Sequence, residues 1–222
     1  MKKLILFDID GTLVNINKLY INSYKAAYKK VYGINVSSKT IINGFGMAEK
    51  EAHKEVLTDA GIFDLSKVNE VIANHVLNMK EKIEKTKIVP LKGVIDFLEY
   101  LKSNEDYIVG IISGNLEEIG LSILKNAGIY HYFSVFSLDD GRKRGRKGIL
   151  RFAIATAKKK YSFSKIIVIG DTPKDIRVGK EIGIFTVGVA TGSHKIGALK
   201  IENPDLVVPN LRNYRHILEA LD

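Results

Sequence analysis

The 222-residue sequence has no cysteine, which excludes disulfides, thiolate nucleophiles and cysteine-ligated metals. It also lacks a long apolar run. The longest are strand-sized, so no membrane span is expected. Internal repeats and low-complexity linkers are absent too. Met1-Lys2-Lys3 and the apolar residues after it look superficially like a secretory leader. Asp8 and Asp10 interrupt that stretch early, and no small-residue cleavage site follows, so the expected compartment is the cytoplasm. What remains is a chain of one or two domains with enough length for a sizeable core. It is 45% hydrophobic and 27% charged, a globular and soluble composition. The net charge of +9 favours anionic partners: phosphorylated metabolites, nucleic acid or acidic surfaces.

The organising stretch is Leu4-Ile5-Leu6-Phe7-Asp8-Ile9-Asp10-Gly11-Thr12-Leu13. An unbroken apolar run cut off by Asp-x-Asp-Gly reads as a buried strand ending in a polar loop. Side chains alternate along a strand, so Asp8 and Asp10 point the same way if extended geometry persists. Two adjacent carboxylates repel. A divalent cation relieves the repulsion, and oxygen ligands favour Mg2+. The spacing does not fit an EF-hand loop, which would need Gly at position 13 and Glu at 19. An ordinary Asp-Gly turn is the competing structural reading.

Residues 17 to 32 carry Tyr20, Tyr24, Ala27, Tyr28 and Val31 at helical spacing, with Gly33 as a stop. The tyrosine stripe reads as a packed face. Residues 43 to 47 read as a loop. Further helices are expected from about Ala48 to Ala60 and from Ser66, a candidate N-cap, to about Lys85. His75 lies beside the apolar face of the last, half-buried, with no second metal ligand to pair with. The pattern then changes to apolar strands (108–112, 134–137, 166–169, 185–189 and a last edge at 206–208) alternating with helices. That alternation implies a doubly wound parallel α/β sheet. Residues 16–86 are then a helical insertion, and 1–15 with 87–222 the α/β core.

Ligands of such sheets bind beyond the carboxyl ends of the strands. Ser113-Gly114-Asn115 ends one strand and offers a hydroxyl and backbone N–H groups suited to phosphate, or an ordinary helix cap. Asp171 ends another and would add a third carboxylate. Thr172 and Pro173 read as N-cap and N1 of the next helix, with Asp175 at N3, where an acid stabilises a helix in any case. The basic run 142–147 precedes the helix that leads to the Asp171 strand. It has the charge of a nucleic-acid patch or a solvated loop, and no aromatics accompany it.

In order, Asp8-Ile9-Asp10-Gly11-Thr12-Leu13, the Ser113 strand end, a basic residue before a helix, and Gly170-Asp171-Thr172-Pro173-Lys174-Asp175 resemble the four motifs of haloacid-dehalogenase-like phosphatases. The insertion resembles the helical cap of the phosphoglycolate-phosphatase-like subgroup. The resemblance implies a Rossmann-like core and an Mg2+-dependent phosphatase of small phosphorylated metabolites. Asp8 would be the nucleophile and Asp10 the general acid/base. Thr12, Ser113, Gly114, Asn115 and Lys147 would bind phosphate. Asp8, Asp10 (through its carbonyl) and Asp171 would bind the metal, with Asp175 in support. Lys147, three residues before the first apolar position of its helix, is the expected cation, and Arg146 the only substitute. Many relatives have Lys-Pro where this chain has Lys147-Gly148. A phosphosugar mutase also retains both aspartates, and a non-enzymatic phosphate- or nucleic-acid-binding module is the alternative outside enzymes. Neither nucleic acid nor membrane is the expected partner, and the chain would be a monomer or homodimer.

Overall fold

The computed structural model describes residues 1–45, 47, 49–140 and 145–221. Chain order is β1 (Lys2–Phe7), α1 (Asn17–Tyr32), α2 (Ser38–Asn43), α3 (Glu49–Asp59), α4 (Val68–Glu84), α5 (Val94–Ser103), β2 (Tyr107–Leu116), α6 (Glu117–Asn126), β3 (Val135–Asp139), α7 (Gly145–Lys158), β4 (Phe163–Gly170), α8 (Pro173–Glu181), β5 (Phe185–Val189), α9 (Ile196–Lys200), β6 (Leu206–Val208) and α10 (Tyr214–Glu219).

The strands form one parallel sheet of order β3-β2-β1-β4-β5-β6. Alternation within β1 divides the core. Leu4 and Leu6 join Ile108, Ile149, Leu150 and Ala153, beneath α7. Ile5 and Phe7 join Phe97, Leu98, Ile119 and Ile123, beneath α5 and α6. Both faces are thus covered, which is why β1 reads as a continuous apolar run and not as an alternating one. Phe7 aligns with Ile111 of β2 and Ile169 of β4. The three strands are therefore in step where β1 ends, and the chain reverses its winding direction at β1, where the strand order makes a crevice.

The expected strands all form, and α1, α3 and α4 occupy the helical stretches expected between β1 and the core. Two local details differ. α2 forms within a stretch given no element by its pattern. It has six residues, one of them buried (Ile41), and the Ser37 hydroxyl caps it by accepting from the Thr40 N–H. α4 starts at Val68 with Lys67, not Ser66, at the cap position and no side-chain cap; the Ser66 N–H donates to Asp64 Oδ1 at 2.9 Å in the turn before it.

Candidate active site

Asp8 follows β1 directly, and its N–H donates to the Ile169 carbonyl at 2.9 Å, so the sheet ladder fixes its backbone. The chain then folds back tightly. The Leu13 and Val14 N–H groups both reach the Ile9 carbonyl, and Gly11 sits at φ +81°. A Cβ on Gly11 would lie 2.3 Å from Asp171 Oδ2, and one on Gly192 only 1.6 Å from it. Glycine at these two positions is what lets the Asp171 carboxylate lie between them.

Asp8, Asp171 and Asp175 are buried, and one carboxylate oxygen of each lies within 4.8 Å of the others. Arg146, at the start of α7, is buried against them. Its Nη2 donates to Asp8 Oδ1 at 2.6 Å and to Asp175 Oδ1. The other oxygen of Asp175 accepts from the Thr172 N–H and hydroxyl, completing the capping box of α8. Both oxygens of Asp175 are thereby engaged within the protein. Asp171 Oδ1 has no hydrogen-bond partner among the described residues. Burial, and next the charges of Asp8, Asp175 and Asp10, push the Asp171 carboxyl far above its usual range. Burial raises Asp8 as well, against the pull of Arg146. Such a group of oxygens, short of positive charge and with one orphaned, fits a hard divalent cation. Asp8 and Asp171 could hold it, while Asp175 positions Arg146.

The Asp10 carboxylate lies apart from this cluster. Its Oδ2 accepts from Asn115 Nδ2 at 2.6 Å, and its Oδ1 is enclosed without a partner among the described residues. Burial lifts its pKa to about 7, with the Asn115 hydrogen bond and Arg146 opposing. Asp10 can therefore hold or release a proton near neutrality.

The structure brings Asp8, Asp10, Ser113, Gly114, Asn115, Arg146 and Asp171 to one cleft. β2 runs on through Ser113–Asn115 to Leu116, with a register shift after Ile112, so these residues form an irregular strand end ahead of α6 and not its first turn. Ser113 Oγ accepts from the Asn115 N–H at 3.3 Å. Thr12 is fully buried, its hydroxyl has no partner among the described residues, and it does not line the cleft.

Lys147 is not brought there. Its ammonium pairs with Glu181 at 2.8 Å on the surface, the two side chains 41% and 45% exposed. Arg146 stands in the site instead, for a helical reason: it precedes Ile149, Leu150, Ala153 and Ala157 by three, four, seven and eleven residues, on the buried face of α7. Lys147 is turned about 100° away. Arg142, Lys143 and Arg144 of the basic run lie outside the described residues.

The remaining wall of the cleft comes from the helices between β1 and α5, with Asn17, Tyr20, Tyr24, Phe45, Met47 and Glu49. The tyrosine stripe is thus both packed face and lining. Lys174, at the start of α8, donates to the carbonyls of Asn43 and Phe45 at 2.9 and 3.0 Å and ties this wall to the core. His75 is fully buried and stacks on the Tyr24 ring, centroids 4.1 Å apart.

A family model described as haloacid dehalogenase-like hydrolase matches residues 5–189. The chain is 25% identical over 210 residues to the pyrophosphatase PpaX of Halalkalibacterium halodurans, covering 93% of this chain and 92% of that one. The crystal structure of a hydrolase from Pseudomonas syringae superposes with a TM-score of 0.82 at 20% identity, over 99% of this chain and 98% of the other. A β-phosphoglucomutase from Clostridium difficile superposes at 0.81 and 19% identity, over 99% and 97%. With 185 consecutive residues matched, including every strand that carries a cleft residue, the chain belongs to the haloacid dehalogenase-like hydrolases.

Proposed function

We propose that the protein is an Mg2+-dependent phosphatase of small phosphate monoesters that works through an aspartyl-phosphate on Asp8. The observation that carries this reading is Asp8 itself, at the sheet's switch point beside a guanidinium and two further buried carboxylates, with a second aspartate of near-neutral pKa two residues on. Mg2+ held by Asp8 and Asp171 would supply positive charge against the phosphoryl oxygens.

The chain's own groups do the rest. Burial works against charge on Arg146, but Asp175 and Asp8 outweigh it and hold the guanidinium protonated. Arg146 can thus orient Asp8 and neutralise a phosphoryl oxygen. Ser113 and the backbone N–H groups of Gly114 and Asn115 offer further phosphate contacts. An Asp8 carboxylate oxygen bonds to phosphorus as the ester P–O bond breaks. The departing oxygen takes its proton from the Asp10 carboxyl, which Asn115 aims. Asp10, now a carboxylate, then takes a proton from the water whose oxygen attacks phosphorus and releases Asp8. The helices of residues 16–86 serve as a cap that keeps bulk water from the intermediate.

Phosphate release from a panel of monoesters, with Mg2+ and with EDTA, tests the proposal. Release that EDTA abolishes is expected. Equal rates in both conditions, or no release from any ester, would refute it. Phosphoryl transfer to a second sugar hydroxyl in preference to water would identify a mutase instead.

A further inference from the structure

We infer that the substrate's leaving group is a neutral or ammonium-bearing alcohol, recognised through its hydrogen-bond donors by Glu49 and Tyr20, and not a carboxylate or a second phosphate. This rests on the phosphatase reading of the cleft and names the class of ester it takes.

Glu49 opens α3 and lines the cleft opposite the strand ends. It is 3% exposed. Its N–H donates to Asp139 Oδ2 at 2.8 Å, which pins the start of α3 to the end of β3. The carboxylate is held on one side only. Oε1 accepts from the Tyr24 hydroxyl at 3.2 Å, contacts His53 Nε2 at 3.0 Å and lies 3.5 Å from His75 Nε2. Oε2 accepts nothing among the described residues. Behind this, the Tyr28 hydroxyl contacts His53 Nδ1 at 2.8 Å, so the ring that holds Glu49 is itself held. Burial opposes charge on Glu49, but His75, His53 and Tyr24 outweigh it and keep the carboxyl below its usual range. The cleft thus carries a fixed negative charge with one oxygen uncommitted.

Tyr20 lines the cleft too, and its buried hydroxyl has no partner among the described residues. A buried hydroxyl left unpartnered is costly unless a ligand satisfies it, and the Glu49 oxygen in the same wall is available to accept from that ligand. Both can accept from an alcohol or ammonium group, and Tyr20 can also donate to one oxygen of a polyol. Tyr24 and Phe45 offer apolar surface for the carbon chain. Among the described lining residues, the one lysine or arginine is Arg146, whose Nη2 holds Asp8 and Asp175 at the strand ends. Among the described residues of that wall no lysine or arginine faces Glu49, so an anionic leaving group would meet a like charge there, and like-charge opposition is an effective means of rejection.

The experiment compares kcat/KM for esters of similar size: ethanolamine phosphate and glycerol phosphate against phosphoglycolate and pyrophosphate. Dissociation constants for the same compounds are measured in parallel on Asp8→Asn, which needs no turnover. We expect at least a tenfold preference for the first pair in both readouts. Glu49→Gln should shrink that ratio at least fivefold, mainly by improving the anionic compounds. Tyr20→Phe loses only an unpartnered hydroxyl, so the fold should persist, and KM for glycerol phosphate should rise at least threefold. A wild-type preference for phosphoglycolate or pyrophosphate would overturn the inference, as would a ratio that ignores both substitutions. Absence of turnover with an intact binding preference would count against the phosphatase reading alone.

Discussion

Arg146 and Lys147 are adjacent cations with opposite surroundings, and replacing each gives a sharp contrast. Arg146→Met keeps most of the side chain's volume but leaves Asp8 and Asp175, both buried, without their shared guanidinium. Breaking a buried pair by removing one partner costs about 3–5 kcal/mol. For a chain of this size each kcal/mol shifts Tm by about 2–4 °C, so the fall should be roughly 6–20 °C. Lys147→Ala breaks an exposed pair with Glu181, worth at most about 1 kcal/mol and so no more than about 4 °C. Scanning calorimetry in EDTA, where no cation can compensate, reads both. The Arg146 deficit should shrink as pH falls from 8 to 5, because the Asp8 carboxyl, raised by burial and no longer held down by Arg146, can then take up a proton and lose its charge. In the phosphatase assay, below either Tm, Arg146→Met should lose at least tenfold in kcat/KM, about 1.4 kcal/mol, and Lys147→Ala should stay within about threefold. Equal Tm losses, or a larger kinetic loss in Lys147→Ala, would refute the assignment of the site cation.

Three further outcomes follow from the geometry. Asp10→Asn should slow turnover of alkyl phosphates by roughly 10^2 to 10^4, with a smaller loss in the phosphorylation burst from a nitrophenyl ester, whose leaving group needs no proton; equal burst losses would exclude the acid role. Burial pulls His75 down to about 4 from 6.5; between these values the unfolded chain binds the extra proton, so this contribution is complete above about pH 6.5 and is lost as pH falls toward 4. Its size is on the order of 3 kcal/mol, and urea denaturation across this range should show a shallower pH slope in His75→Phe than in the wild type; identical slopes would contradict the burial argument. Gly192→Ala would put a methyl into the Asp171 carboxylate, whereas Gly197→Ala points into open space, so Mg2+ titration calorimetry should show at least tenfold weaker binding in the first and no change in the second.

The sheet was legible because buried parallel strands are continuous apolar runs, and three of them end in the polar groups that meet at the switch point. The capping box of Thr172 and Asp175 was legible for a similar reason, since residues three apart in sequence stay together in the fold. The choice between Arg146 and Lys147 turns on one residue of helical phase. Proximity to the helix start favours Lys147, whereas the stripe of Ile149, Leu150, Ala153 and Ala157 selects Arg146. That stripe was readable and is the signal that locates the cation. Contacts between Glu49 and His75, or between Asp10 and Asn115, join residues far apart in the chain. No periodicity reports these meetings, which is why His75 read as a half-buried helix residue and Glu49 is legible only as part of 44–50, the stretch that together with 15–20 is expected from sequence to contact the substrate.

The central claim is that Asp8 attacks phosphorus. Rapid acid quench of the enzyme turning over a 32P-labelled monoester with Mg2+, followed by peptide mass mapping, tests it directly. The account predicts an acid-stable, hydroxylamine-labile label on the peptide bearing Asp8, retained longer in Asp10→Asn and absent from Asp8→Asn. Label on any other residue, or full turnover by Asp8→Asn, would contradict it.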